Sequence, residues 1–229
     1  MSPRKGTRLS GRGLKTRVRT AKGRKTSSTR WLKRQLNDAY VAEAKRLGFP
    51  SRSAFKLIEL DERFKFLKPG MRIVDLGAAP GGWSAVAADR VKATEGRGRV
   101  VAVDIQEMDP IRGVEIICCD LLGGDGPGMI MDALKGEADV VLSDMAPGST
   151  GHASTDHVRI MILAGAAFDF AGQALAEGGV FICKTLQGGT EGGLLNEMKG
   201  RFKSVRHAKP PASRSDSKEM YLVAQGFRK

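Results

Sequence analysis

A glycine-rich segment between residues 75 and 83 reads Asp-Leu-Gly-Ala-Ala-Pro-Gly-Gly-Trp. Apolar residues precede it, which predicts a buried strand followed by a helix that begins at Trp83. Small residues let backbone amides approach a ligand, and a helix N-terminus attracts negative charge. The segment has neither the Gly-x-Gly-x-x-Gly fingerprint of dinucleotide-binding proteins nor the Gly-Lys-Ser/Thr of a P-loop. Taken alone, it is explained about as well by a tight turn without a ligand.

Four aspartates, at positions 75, 104, 120 and 144, come at the ends of four successive predicted strands. Asp104 follows Gly81 by 23 residues, a spacing that suits hydrogen bonds to ribose hydroxyls. Asp120 is placed to meet an adenine amino group. One such acid could simply form a turn or cap a helix. Four in series predict that a nucleoside cofactor lies along one rim of the sheet.

A second set of residues has no common spacing. Lys184 lies in the apolar run 180–184, and a lysine is costly to bury unless it is paired. The alternative is a lysine at the end of a strand that points to solvent. Lys56 and Glu219 could each be ordinary surface charges. Sequence spacing alone does not bring these three residues together with Asp144.

The elements that would position these residues alternate between strand and helix. Ser28–Thr29 is a candidate start for the first helix, and Ser51 or Ser53 is a candidate cap for the second. The predicted helices are Trp31–Leu47, Ala54–Phe64, Trp83–Val91, Gly128–Leu134, Asp156–Ala176 and Glu191–Phe202. The predicted strands are Arg72–Leu76, Arg99–Ile105, Val114–Cys118, Asp139–Ser143, Gly179–Thr185, Ser204–Ala208 and Met220–Ala224.

This alternation predicts an α/β fold with a mostly parallel, seven-stranded, Rossmann-like sheet and helices on both faces. No helix separates the last two strands. One edge strand is therefore expected to be antiparallel.

Positive charge is concentrated at the two ends of the chain. The 229 residues include 38 Lys and Arg against 25 Asp and Glu, a net charge of +13. Residues 1–36 contain 13 of these basic residues and no acid, whereas residues 73–198 are net acidic. Basic flanks of this kind favour binding to a polyanion such as RNA, although a tail can also serve only solubility. We expect residues 1–29 to form a disordered basic tail and residues 30–229 to form one domain.

Several protein classes are excluded by composition. No apolar run approaches the roughly 20 residues that span a bilayer, and the basic N-terminus lacks the apolar core of a secretory signal. The three cysteines, at 118, 119 and 183, have no metal or redox spacing. We therefore expect a cytoplasmic protein that has no metal site and no membrane partner.

Five motifs together closely resemble the FtsJ/RrmJ (RlmE) family. They are DLGAAPGGWS, VVAVDIQEMDPI, VVLSDMAPGSTG, FICKTLQGG and SRSDSKEMYLVAQGF, and the resemblance covers about residues 30–228. Members of that family have a class I methyltransferase fold. They transfer a methyl group from S-adenosyl-L-methionine to a ribose 2′-hydroxyl of large-subunit ribosomal RNA.

The resemblance implies a role for individual residues. Lys56, Asp144, Lys184 and Glu219 match the catalytic set of the family. The cofactor-binding positions match Gly81, Trp83, Asp104, Asp120 and Asp144. Lys184 is the candidate base or orienting group for the acceptor hydroxyl, because a ribose hydroxyl is a weak nucleophile.

Three functions fit the sequence. The first, favoured by the complete catalytic set, is a 23S ribosomal RNA uridine 2′-O-methyltransferase that acts as a monomer on the 50S subunit. The second is a non-catalytic RNA-binding or ribosome-assembly protein that retains the fold. The third is the same reaction on another RNA, such as tRNA or a capped messenger.

Overall fold

The computed structural model describes residues 26–148, 150–187 and 192–229. Its helices are α1 (Thr26–Leu36), α2 (Ala39–Leu47), α3 (Ala54–Phe64), α4 (Gly82–Val91), α5 (Gly126–Leu134), α6 (Ala153–Ala174) and α7 (Gly192–Arg201). Its strands are β1 (Arg72–Leu76), β2 (Arg99–Asp104), β3 (Val114–Cys118), β4 (Ala138–Ser143), β5 (Leu175–Leu186), β6 (Phe202–Ala208) and β7 (Glu219–Phe227). Residues 1–25 of the predicted tail lie outside the described residues, and residues 26–29 begin α1.

One seven-stranded sheet organises the chain, in the order β3-β2-β1-β4-β5-β7-β6. The five strands from β3 to β5 pair in parallel, whereas β7 pairs antiparallel with both β5 and β6. The predicted mostly parallel sheet with antiparallel pairing at one edge is confirmed. The reversed strand is β7, which lies one position inside the edge strand β6.

Two apolar layers cover the sheet because successive strand side chains point to opposite faces. Along β5, Ile182 packs in the layer with α3 and α4, whereas Phe181 and Cys183 pack in the layer with α5, α6 and α7. Lys184 follows in this alternation and shares the face of Ile182. Lys184 therefore lies at the edge of the apolar layer that contains α3 and α4.

The predicted helix Trp31–Leu47 is wrong in one respect, since the structure contains two helices there. Asp38 adopts an extended backbone, and its carboxylate accepts a hydrogen bond from the N–H of Tyr40 at 3.0 Å. This side chain caps α2 and so ends the helical path from α1. The first helix also begins at Thr26, before the predicted start.

The predicted cap of α3 also differs from the structure. Ser53 precedes the helix, but its side chain makes no capping bond. Its hydroxyl instead lies 2.5 Å from that of Ser51. Among the described residues, no helix is long and apolar enough to cross a membrane.

Candidate active site

The sheet places a crevice between the ends of β1 and β4. The chain runs outward from β1 to β2 and β3, then crosses to β4 on the other side of β1. Consecutive connections therefore diverge beyond the carboxyl ends of β1 and β4, which is where ligands bind in open α/β sheets. The glycine-rich segment follows β1, and Asp144 follows β4.

Glycine is required at two positions of this segment. Gly77 has φ +73°, and a Cβ there would lie 2.8 Å from the backbone nitrogen of Met145. Gly81 has φ +100° and precedes α4, and a Cβ there would collide with Ile111. Larger residues would therefore strain the backbone and push apart the loops that form the crevice.

Asp104 and Asp120 lie at neighbouring strand ends on one side of the crevice. The two carboxylate oxygens of Asp104 accept hydrogen bonds from the backbone N–H groups of Ala79 and Gln106, both at 2.9 Å. Asp120 accepts one from Leu122 at 3.0 Å and is exposed. Because a carboxylate has about four lone-pair positions, both aspartates retain acceptor capacity for a ligand.

Trp83 lies in the first turn of the helix that follows the glycine-rich segment, and its indole packs in the core. The side chain is buried, and its indole N–H donates to the carbonyl of Ser53 at 2.9 Å. Its ring lies 5.5 Å from that of Tyr221. Trp83 is the second residue of α4, so its backbone N–H belongs to the first helical turn, which has no intrahelical acceptor.

The expectation that Asp75 joins the rim is wrong. Asp75 is fully buried inside β1, where its Oδ2 accepts a hydrogen bond of 2.6 Å from the hydroxyl of Ser84 on α4. Within the described residues, its Oδ1 has no hydrogen-bond partner. Burial, assisted by the charges of Asp144 and Asp104, raises the pKa of Asp75 to about 7.

Lys184 and Asp144 form the centre of the candidate catalytic cluster. The Lys184 ammonium lies 2.8 Å from Asp144 Oδ1 and donates to the backbone carbonyl of Asp144 at 2.7 Å. The Lys184 side chain is 9% exposed and that of Asp144 is 16% exposed. Two of the three Nζ positions of Lys184 are thus directed at Asp144, which leaves one for an acceptor.

Tyr221 joins this pair to Lys56 and Glu219. Its hydroxyl donates to Asp144 Oδ1 at 2.6 Å and accepts from Lys56 Nζ at 3.2 Å. Lys56 Nζ also pairs with Glu219 at 2.8 Å, and Ser213 donates to Glu219 at 2.9 Å. The four residues that sequence spacing left apart therefore meet in one hydrogen-bonded cluster.

The sheet register explains why these side chains converge. Lys184 on β5 lies directly opposite Tyr221 on β7, and Leu186 lies opposite Glu219. Directly paired residues share a face of the sheet, and so do Glu219 and Tyr221 because they are two apart on one strand. Lys56 reaches the same face from α3.

Electrostatics fix the charge states of two members of the cluster. Burial alone would raise the pKa of Asp144, but the neighbouring Lys184 and Lys56 cations and its hydrogen bonds hold that pKa below its usual value. Burial, together with the Asp144 and Glu219 carboxylates, raises the pKa of Tyr221 well above its usual value. Asp144 is therefore ionised at neutral pH, and Tyr221 is a neutral donor.

The segment that carries Ser213 is fastened to the N-terminal helices. The N–H of Ala212 donates to Glu59 at 2.7 Å, and the carbonyl of Ala212 accepts from Arg52. Arg52 also pairs with Asp38, the cap of α2. This network holds Ser213 against Glu219 and so positions one end of the cluster.

Three residues that bond to the candidate site residues or to Asp75 were not predicted from the sequence: Tyr221, Ser213 and Ser84. The period of two in the last strand contained a signal for Tyr221, because it shares a face with Glu219. The other two contacts depend on tertiary packing and have no such signal. In the residues that the structure describes, no group of three or more His, Cys, Asp or Glu could hold a metal ion.

Comparisons with known proteins agree with the motifs. The model of the FtsJ-like methyltransferase family matches residues 49–227. A protein of Rhodospirillum rubrum named ribosomal RNA large subunit methyltransferase E is 58% identical over 95% of this chain and 83% of its own length. A protein of the same name from Paramagnetospirillum magneticum is also 58% identical, over 95% of this chain and 90% of its own length.

A solved structure extends the similarity to three dimensions. It is a Plasmodium falciparum protein described as a ribosomal RNA methyltransferase, with a TM-score of 0.69 and 30% sequence identity. The match covers 78% of this chain and 98% of that protein. The family match spans the crevice and all four residues of the cluster, which confirms the resemblance seen in the sequence motifs. The chain belongs to the FtsJ-like methyltransferase family.

Proposed function

We propose that the chain transfers a methyl group from S-adenosyl-L-methionine to the ribose 2′-hydroxyl of a uridine in 23S ribosomal RNA. The substrate is the assembled or late-assembling 50S subunit, and the enzyme acts in the cytoplasm as a monomer without a metal ion. The names of the relatives at 58% identity support large-subunit ribosomal RNA as the substrate class. The basic ends of the chain fit a polyanionic partner.

The crevice fits a nucleoside cofactor. Trp83 offers its backbone amide in the first turn of α4, where a carboxylate is favoured. Gly81 precedes that turn and donates its own N–H to the carbonyl of Ala78, so it contributes close backbone approach rather than a free amide. Asp104 retains lone pairs for ribose hydroxyls, and Asp120 retains an oxygen for an adenine amino group. Asp144 borders both this crevice and the catalytic cluster. When bound, the sulfonium of the cofactor supplies an electrophilic methyl group.

Lys184 acts on the acceptor hydroxyl through the Nζ position that Asp144 leaves free. In a neutral amine that position is a lone pair, which takes the hydroxyl proton. In an ammonium it is an N–H, which stabilises the negative charge that develops on oxygen. In both forms the two contacts with Asp144 hold the nitrogen in one orientation.

The other members of the cluster position Lys184 and set its surroundings. Asp144 anchors Lys184, and the neutral Tyr221 hydroxyl links Asp144 to Lys56. Glu219 balances the charge of Lys56 and holds it at the edge of the acceptor site. Alignment of acceptor and methyl donor is the main contribution that a protein makes to such an in-line transfer.

Lys184→Arg distinguishes the two roles of Lys184. Arginine keeps a positive charge but does not release a proton in proteins. If Lys184 is the base, single-turnover methylation rises with pH in the wild type, and this rise disappears in the variant. A charge-stabilising role predicts substantial activity in the variant and a similar pH profile.

The observation that carries this proposal is the meeting of Lys56, Asp144, Lys184 and Glu219 beside the crevice. Mass mapping of 2′-O-methyl groups in ribosomal RNA, with and without this gene, tests the substrate. We expect one uridine of 23S RNA to lose its 2′-O-methyl group without the gene. Unchanged 23S RNA alongside a missing methyl group in tRNA or messenger RNA would favour the third function. Methylation that is unchanged in every RNA would favour the non-catalytic one.

A further inference from the structure

A cavity of about 390 Å³ opens beside the catalytic cluster, on the side of Lys56 and Glu219. Three arginines from separate parts of the chain line it. Arg34 lies on α1, Arg52 precedes α3, and Arg214 lies between β6 and β7. The cavity thus places three arginines beside Lys56 and Glu219, the members of the catalytic cluster that line it.

Arg52 is already satisfied within the protein. Its side chain is 15% exposed, pairs with Asp38 and donates to the carbonyl of Ala212. It therefore serves to fasten the wall of the cavity. Lys56 is likewise engaged, by Glu219 and Tyr221.

The carboxylates of the described residues neutralise Arg34 and Arg214 only weakly. The Arg214 guanidinium lies 3.9 Å from Asp38, beyond hydrogen-bond distance, and Arg52 takes that carboxylate. Burial and the neighbouring Arg52 and Arg34 cations lower the pKa of Arg214. Arg34 is exposed and has no carboxylate within 4 Å among the described residues. An anion between the two guanidinium groups would relieve this repulsion.

The acidic residues that line the cavity do not fully neutralise Arg34 and Arg214. Glu219 is held by Lys56 and Ser213. Asp216 is exposed on the same loop as Arg214, and its charge offsets only part of the effect of burial and of the neighbouring arginines. The polar space between Arg34 and Arg214 is thus open to a ligand.

We propose that Arg34 and Arg214 form a subsite for an RNA phosphodiester next to the nucleotide that is methylated. This inference rests on the proposed function, because an acceptor ribose at Lys184 is joined to a phosphate on each side. Guanidinium groups match phosphate oxygens with two parallel hydrogen bonds. The subsite would fix the register of the RNA backbone without reading base identity.

The test compares Arg34→Gln, Arg214→Gln and their double variant with the wild type. Arg97→Gln is the matched control, since Arg97 is exposed like Arg34 but lies just before β2, at the opposite end of the strands. The KM for 50S subunits should rise about tenfold for each subsite variant, while kcat stays within about twofold. Cofactor affinity should not change, which also shows that the variants are folded.

Salt dependence gives a second readout that requires no catalysis. In titrations of a single-stranded RNA oligonucleotide, the slope of log affinity against log salt should become shallower by about 0.7 for each phosphate that the variant no longer neutralises. Arg214→Lys keeps the charge but removes the forked donor geometry, so it should restore the slope and only part of the affinity. Arg97→Gln should leave slope and KM unchanged.

The subsite is refuted if the double variant keeps the wild-type KM and slope, or if Arg97→Gln changes both by the same amount. The proposed function fails separately, when the wild type transfers no methyl group to ribose. In that case, a shallower slope in the double variant alone would still support the phosphate subsite.

Discussion

Asp75 should make the stability of this protein fall as the pH rises from 5 to 8. Folding raises its pKa from 3.8 to about 7, so the native state keeps a proton that the unfolded chain has released in this range. The stabilising contribution of Asp75 is therefore fully present below pH 3.8 and disappears as the pH rises through 7. From these two values, the contribution is about 3 kcal/mol at pH 5 and close to zero at pH 8.

Asp75→Asn isolates this effect because asparagine is similar in shape and neutral at every pH. Urea denaturation at pH 5, 6, 7 and 8 gives the free energy of unfolding of both proteins. The variant should gain about 3 kcal/mol relative to the wild type between pH 5 and pH 8. Any constant offset from altered hydrogen bonding to Ser84 cancels in this difference.

Asp109→Asn is the control, since Asp109 is exposed in the segment between β2 and β3. Its curve should run parallel to that of the wild type. If the Asp75→Asn curve also ran parallel, the reasoning that burial keeps Asp75 protonated would be refuted.

Three further predictions concern ligands and the catalytic cluster. Tyr221→Phe should lower turnover by roughly 10- to 100-fold and the free energy of unfolding by about 1–3 kcal/mol, because it removes the bridge to Asp144. Cofactor affinity serves as its control, and wild-type turnover would contradict the role of the bridge. Calorimetry should detect binding of S-adenosyl-L-methionine but not of NAD, and Asp104→Ala should weaken that binding. An affinity for NAD comparable to that for S-adenosyl-L-methionine would contradict the predicted cofactor selectivity. Deleting residues 1–25 should weaken RNA affinity and flatten its salt dependence while leaving cooperative unfolding intact. If the salt dependence of RNA affinity did not change, residues 1–25 would serve only solubility.

The strands were predictable because each is a short run of β-branched and apolar residues between turn signals. All seven predicted strands occur, although β4, β5, β6 and β7 are longer than predicted and β2 is one residue shorter. The break between α1 and α2 was missed because apolar spacing continues across it. Only the extended backbone and side-chain bond of Asp38 reveal it.

The residues of the candidate site were predictable from the sequence, but their arrangement in space was not. Motif resemblance singled out Lys56 and Lys184, which lie in elements far apart in the sequence. Their meeting depends on the insertion of β7 between β5 and β6, which places Tyr221 opposite Lys184. Asp75 was misplaced although it lies inside the predicted strand Arg72–Leu76, because the contact with Ser84 of α4 that keeps it in the core depends on tertiary packing.

The most direct test of the proposed catalytic role of Lys184 is single-turnover methylation of 50S subunits that lack this modification, with the wild type and Lys184→Ala. Cofactor affinity is measured in parallel to show that the variant is folded. We expect the wild type to methylate a ribose 2′-hydroxyl, and we expect Lys184→Ala to lose this activity while its cofactor affinity stays within about twofold. Methylation by Lys184→Ala at the wild-type rate would contradict the assignment of the entire cluster.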